Sequence, residues 1–227
     1  MNKDFLSVDT TIISTSFSYI SICASLLVLL LLSVLHIVSP EFDPSWRMVS
    51  EYANGNYSWV LSLMFIFWAI STVALFVAIK SQLITKAGKI GLFFLLISSV
   101  GEAMASVFDI DHSLHALAAF LGIGLLPIAA VIISKNLSKS AEWFQSKRLL
   151  MTTAHLTWIS VLLMAATFGL LIYTYTQAGG DLSAGVVNEI PAGVIAVVGW
   201  ANRFLIVVYC IWIITIASKA VKLKKVV

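Results

Sequence analysis

Six stretches of this chain are each long enough and apolar enough to cross a lipid bilayer, and that fixes what it can fold into. They cover residues 16–38, 59–79, 90–108, 114–133, 149–173 and 194–217. A hydrocarbon core takes roughly 20 apolar residues per spanning helix. Lipid offers no partner to an unpaired peptide group, so each run must close its own backbone bonds as a helix. A β-barrel would need short alternating segments, and none is visible. The expectation is an all-α polytopic membrane protein: a six-transmembrane-helix bundle forming one transmembrane domain over residues 1–227. With 60% hydrophobic and 11% charged residues, against about 25% charged in soluble domains, the composition excludes a soluble enzyme, a nucleic-acid binder and a disordered chain. The first run is too long for a signal-peptide core and lacks a small-residue cleavage pattern, so it reads as a retained helix.

Basic residues set an orientation. Twelve of the 14 Lys and Arg fall at the N-terminus, in the second and fourth loops and at the C-terminus; Arg47 and Arg203 lie on the other side. Basic loops stay cytoplasmic, so both termini are predicted inside. The first, third and fifth loops, with Glu41, Asp43, Glu51, Asp109, Asp111, Asp181 and Glu189, then lie outside.

The first outer loop is the most informative. Asp43 before Pro44 reads as a helix cap, Asn54-Gly55 as a left-handed stop, and Arg47 and Glu51 as an i, i+4 pair. The segment between is expected to be a short amphipathic helix at the interface, carrying Trp46 and Tyr52 into the aromatic belt. It reads either as an anchor or as a lid with Glu51 or Tyr52 pointing into a pocket. The stretch Ser50-Glu51-Tyr52-Ala53-Asn54-Gly55-Asn56-Tyr57-Ser58-Trp59 resembles the signature of the bacterial integral-membrane family catalogued as domain of unknown function 998. Length, six spans, an acidic end to span three and an Asn-Arg pair in the last span extend that resemblance over almost the whole chain. It implies a fold and a plasma (bacterial inner) membrane location, and no activity. In layout alone the chain is also similar to six-span proteins of the Frag1/DRAM/Sfk1 type.

Charges inside the spans are candidate functional groups, because an ionised side chain in hydrocarbon is costly. Ser98, Ser99, Glu102, Ser106 and Asp109 fall on one face of span three. Glu102 and Arg203 lie about two turns below the same surface, with Asn202 beside Arg203. They are expected to pair, either to fix packing or to border an outward pocket that holds an anionic lipid headgroup or a carboxylate. The candidate ligand-binding set is Glu51, Tyr52, Glu102, Asn202 and Arg203. The turn Asp109-Ile110-Asp111-His112-Ser113-Leu114-His115 has a second reading, as a divalent-metal site of Asp109, Asp111, His112 and His115, with His36 the other histidine in the outer half. The same residues read equally as an ordinary polar turn. His155 lies toward the cytoplasmic side, with a neighbouring helix as its expected partner.

No nucleophile elbow, zinc-protease motif, phosphate loop or dinucleotide fingerprint is present. Cys23 and Cys210 have no activating neighbours, and the serines of span one read as helix–helix contacts. The expected function is binding or sensing of a lipid or a membrane-protein partner through an outward-facing polar pocket. The alternative is a metal-dependent, lipid-processing membrane enzyme acting at the outer ends of spans three and four. Nucleic acid is not an expected partner.

Overall fold

A computed structural model describes residues 3–181, 187 and 189–224, the side chains of 3–13 and 224 excepted. Each of the six expected spans contains a helix, and six helices among the described residues are long and apolar enough to cross a membrane. We label them α1 (Lys3–Val38), α2 (Ser58–Ile79), α3 (Lys86–Ala105), α4 (His115–Leu137), α5 (Lys147–Gln177) and α6 (Val198–Lys224). Each packs on its sequence neighbours, and α6 closes the ring against α1 and also touches α2. The last helix is the most enclosed, with Leu205, Tyr209, Cys210, Trp212, Ile213 and Ile216 fully buried.

Hydroxyls join the helices where lipid could not satisfy them. Ser21 donates to the carbonyl of Ser71 at 2.9 Å, and Ser25 to the Ser71 hydroxyl at 3.1 Å, tying α1 to α2. Trp212 Nε1 donates to Ser134 Oγ at 3.0 Å, tying α6 to α4. Gly101 of α3 sits so close to the backbone of Gly122 and Ala118 that a Cβ there would collide with both. This close approach brings α4 directly against Glu102.

Two helix ends differ from expectation. The third span stops at Ala105, so Asp109 lies beyond the helix and off the polar stripe. The last span begins at Val198, so Pro191 does not open it. Residues 182–186 and 188 of the fifth loop lie outside the described residues.

The fourth span is not a regular α-helix. An α-helical turn, His115–Ala119, runs into a π-helical turn, Phe120–Gly124, before α-helix resumes at Leu125. Pro127 supplies a cause. It has no N–H to give the carbonyl four residues back, and its ring crowds that carbonyl. The carbonyl is that of Ile123, and Tyr209 of α6 donates to it at 2.6 Å. Gly122, also in the π turn, accepts from Ser98 Oγ of α3 at 2.8 Å. Neighbouring helices thus satisfy the groups that the irregular turn frees, as a membrane helix requires.

Tyr209→Phe is therefore expected to lower stability by about 1–3 kcal/mol, because it leaves a buried carbonyl unpaired. In a Pro127→Ala background the restored N–H can take over, and the same substitution should cost markedly less. Thermal unfolding of the four proteins in detergent tests this, and an additive double-mutant cycle would refute it.

Candidate functional site

The first loop is fastened to the start of α6 by backbone and side-chain bonds together. The opening N–H groups of a helix have no partner inside it, and Gly199 N–H is capped by the carbonyl of Ser45 at 2.9 Å. A Cβ on Gly199 would strike the carbonyls of Pro44 and Arg47, so only glycine admits the loop here. Asn202 accepts from Val49 N–H at 2.9 Å. Arg203 supplies the rest. Its Nη1 donates to the carbonyls of Arg47 at 2.7 Å and Gly199 at 3.0 Å, and its Nη2 to the Tyr52 hydroxyl at 3.0 Å. Its Nε donates to His36 Nε2 at 2.7 Å. The other ring nitrogen of His36 faces the Leu32 carbonyl at 2.7 Å, so Nδ1 carries the proton and Nε2 accepts. Tyr52 is buried, its ring under the guanidinium carbon at 5.6 Å and edge-on to Phe42 at 5.1 Å.

These bonds decide the loop's shape. Instead of the expected amphipathic α-helix, residues 44–46 form a turn, 47 and 48 are irregular, and a 3₁₀ helix follows over Val49–Asn54. Backbone groups of Ser45, Arg47 and Val49 are occupied by α6, so they are not available to build α-helical turns. Asp43 does not cap a helix. Its carboxylate accepts from Ser45 N–H at 2.8 Å, which holds it below the ordinary carboxylate range. Gly55 is extended rather than left-handed. The expected Arg47–Glu51 pair is present at 2.6 Å, and Glu51 also accepts from Met48 N–H at 2.7 Å.

Glu102 and Arg203 do not pair. Arg203 turns up into the loop, and among the described residues the one ion pair is Arg47–Glu51. Equal depth on two helices does not make two side chains meet; each also has to point the same way around its axis. Glu102 points elsewhere, into a cavity of about 600 Å³. Phe65 and Trp68 of α2, Gly101, Glu102 and Ala105 of α3, and Ala118, Ala119 and Gly122 of α4 line one side. Met164, Ala165 and Phe168 of α5 and Asn202 and Ile206 of α6 line the other, and Met48, Val49 and Ser50 close it at the loop end. The cavity lies where α4 and α5 diverge: α5 packs on the Leu125–Leu137 half of α4, below the chamber. Its rim includes exposed Ala116, Ala165 and Phe168.

The polar groups near this apolar chamber are poorly satisfied. Glu102 Oε2 is buried and, among the described residues, has no hydrogen-bond partner. Its Oε1 lies 3.4 Å from Ser98 Oγ. Ser98 has one hydroxyl proton, and its bond to the Gly122 carbonyl at 2.8 Å is much the shorter. Trp68 Nε1 and Thr72 Oγ1, a turn apart on α2, are likewise buried and without a partner. Thr72 nevertheless lies near enough to bear on the Glu102 carboxyl. Asn202 Nδ2 has only the Met164 sulfur, at 3.4 Å. Trp68 and Thr72 were not among the sequence candidates; the available signal was an indole and a hydroxyl one turn apart in an otherwise apolar span.

Of the ligand-binding candidates, then, Glu102 and Asn202 reach the chamber, while Glu51, Tyr52 and Arg203 are occupied in fastening the loop. Among the described residues, no three His, Cys, Asp or Glu side chains gather as a metal site would require. His112 stacks on Phe108 at 4.5 Å and accepts from Leu114 N–H, and Asp109 is exposed beyond the end of α3. His115 faces the Phe108 carbonyl at 3.1 Å and lines the chamber, whereas Asp111 borders a separate cleft with Arg47 and Glu51. His36, considered as a further ligand, serves Arg203. His155 bonds within its own helix, accepting from Trp158 Nε1 at 2.9 Å.

Arg203→Ala should destabilise the protein by about 2–4 kcal/mol, since it orphans buried acceptors that received a charged donor. Arg203→Lys should recover little of this, because an ammonium cannot reproduce the planar fork of donors. Both variants should expose the first loop to protease in detergent. Unchanged unfolding and unchanged proteolysis would refute the fastening role.

No match to this chain was found among curated proteins or among solved structures. A family model described as "Protein of unknown function (DUF998)" matches residues 22–219. That stretch runs from within α1 nearly to the end of α6 and includes the first loop, the Glu102 chamber and the Asn202-Arg203 pair. The chain belongs to the DUF998 family.

Proposed function

We propose that this protein binds a single-chain, lipid-like amphiphile in the chamber bounded by α2 to α6 and roofed by the first loop. The observation that carries this reading is an apolar cavity of about 600 Å³ with Glu102 and Asn202 in its wall. A mostly apolar pocket with a few convergent polar groups is the usual form of a small-molecule site. Its size suits one acyl or alkyl chain, and its rim between α4 and α5 gives such a chain a sideways route from the bilayer. The charge bias of the loops supports a plasma-membrane orientation with the chamber in the outer half of the bilayer and both termini inside. Binding or sensing, rather than catalysis, needs nothing beyond these groups.

Single-chain amphiphiles of twelve carbons carrying an alcohol, an amine or a carboxylate head are suitable probes. At about 100-fold excess over its Kd, a ligand that binds only the folded state adds about 2.7 kcal/mol of stability, which raises the unfolding temperature measurably. Ala119→Phe combined with Ala165→Phe, which narrows the chamber, should abolish the rise. If none of the three probes stabilises the protein, or if the narrowed variant responds equally, the chamber is not the binding site.

A further inference from the structure

The chamber's most unusual feature is a carboxyl group with no counter-ion among the described residues. Glu102 is 4% exposed, and its Oε2 has no hydrogen-bond partner among the described residues. The nearest helix-borne cation by depth, Arg203, is bonded to His36, Tyr52 and two carbonyls. The lysines of α2 to α6 cluster at the opposite ends of the helices, at Lys80, Lys86, Lys135, Lys147 and Lys219 among others. Ser98 gives its one proton to Gly122. The Thr72 hydroxyl lies beside the same carboxyl; it can turn its proton toward the carboxyl and keep its lone pairs free to accept. Stacked aromatic rings of Phe65 and Trp68, with centroids 6.3 Å apart and planes within 5°, stand in the same wall.

The two oxygens, Glu102 Oε2 and Thr72 Oγ1, ask for a donor head, whereas the donors Trp68 Nε1 and Asn202 Nδ2 are not met by it. A buried carboxylate is stabilised by a positive charge that also donates hydrogen bonds. An aromatic face attracts the same charge. A primary ammonium does all of this at once: it has three N–H donors, enough for Glu102 Oε2 and Thr72 Oγ1, and it can lie against the ring of Trp68. An anionic head would instead face an uncompensated carboxyl. We propose that the chamber's ligand is a lipophilic primary amine, bound as its ammonium, with Glu102 as counter-ion and the chain lying among Ala119, Ile123, Phe168 and Ile206. This rests on the amphiphile-binding reading above and assigns the chemistry of its head.

The test compares dodecylamine, dodecanol and dodecanoate at matched concentration, by calorimetric titration of the whole chain in detergent. The variant with Ala119→Phe and Ala165→Phe serves as the blank for partitioning into micelles. The amine is expected to bind at least about tenfold more tightly than the alcohol, since a hydrogen bond to a charged group adds about 1.5 kcal/mol or more, and dodecanoate should bind most weakly. Glu102→Gln should reduce the amine-to-alcohol ratio to about one. Equal binding of amine and alcohol by the wild-type protein overturns the proposal while leaving the chamber as an amphiphile site. So does a preference that survives in Glu102→Gln. Failure of all three probes overturns the chamber reading itself. The wild-type ratio decides the matter even if the Glu102→Gln protein does not fold.

Discussion

The fold at its loop end depends on one guanidinium that is held without a carboxylate. Arg203 gives every nitrogen to a neutral acceptor, two carbonyls, one hydroxyl and one imidazole. Burying a charge is tolerable only when its donors are satisfied, and here satisfaction requires α1, α6 and the first loop to be in place together. His36 comes from the end of α1, Tyr52 and the Arg47 carbonyl from the loop, and the Gly199 carbonyl from α6 itself. The cation thus works as a joint among three segments that hydrophobic contact alone would leave free to slide, because lipid is as good a solvent for their side chains as they are for each other.

Because Arg203 is consumed by this joint, Glu102 is left to face the chamber unpaired. A direct Glu102–Arg203 contact would have neutralised both groups and left the chamber wall without an unpaired carboxyl. Instead the bundle keeps one charge-bearing group for structure and one for the cavity, separated around the helix axes rather than along the membrane. The close approach of Gly101 to Gly122 brings α4 across the base of Glu102 and removes the room a water-filled channel would need on that side. The π turn of α4 and Pro127 act in the same neighbourhood, and their freed carbonyls take up Ser98 and Tyr209, two hydroxyls that could otherwise have served the carboxyl.

The six spans were legible in the sequence because hydrocarbon imposes a length and an apolarity on every crossing segment. Of the loop, the sequence carried the Arg47–Glu51 pair and the importance of the Asn202-Arg203 dipeptide. Its conformation was not legible, because Asn202, Arg203 and Gly199 bond to its backbone, and residue periodicity does not report that kind of competition. The pairing of Glu102 with Arg203 failed for a related reason. Depth follows from counting residues, whereas azimuth follows from how each helix is rotated against its neighbours, and that is set by contacts such as Gly101 on Gly122. Because α3 ends at Ala105, Asp109 and His112 lie on an exposed turn, apart from His115 in the chamber wall and Asp111 at a separate cleft.

Asn202 belongs to the loop joint and to the chamber at the same time. Its Oδ1 holds Val49 N–H, while its Nδ2 has only a sulfur for company and its side chain forms part of the cavity wall. Met48, Val49 and Ser50, the residues on either side of that bond, form the cavity's roof. The roof can therefore lift only by breaking the buried Val49–Asn202 bond and straining the part-buried Arg47 carbonyl bond to Arg203. A ligand coming sideways between α4 and α5 meets no such cost. The polar bonds of the loop end close one route to Glu102, and the lightly packed upper half of α5 leaves the other open; the proposed amphiphile would therefore enter from the lipid side.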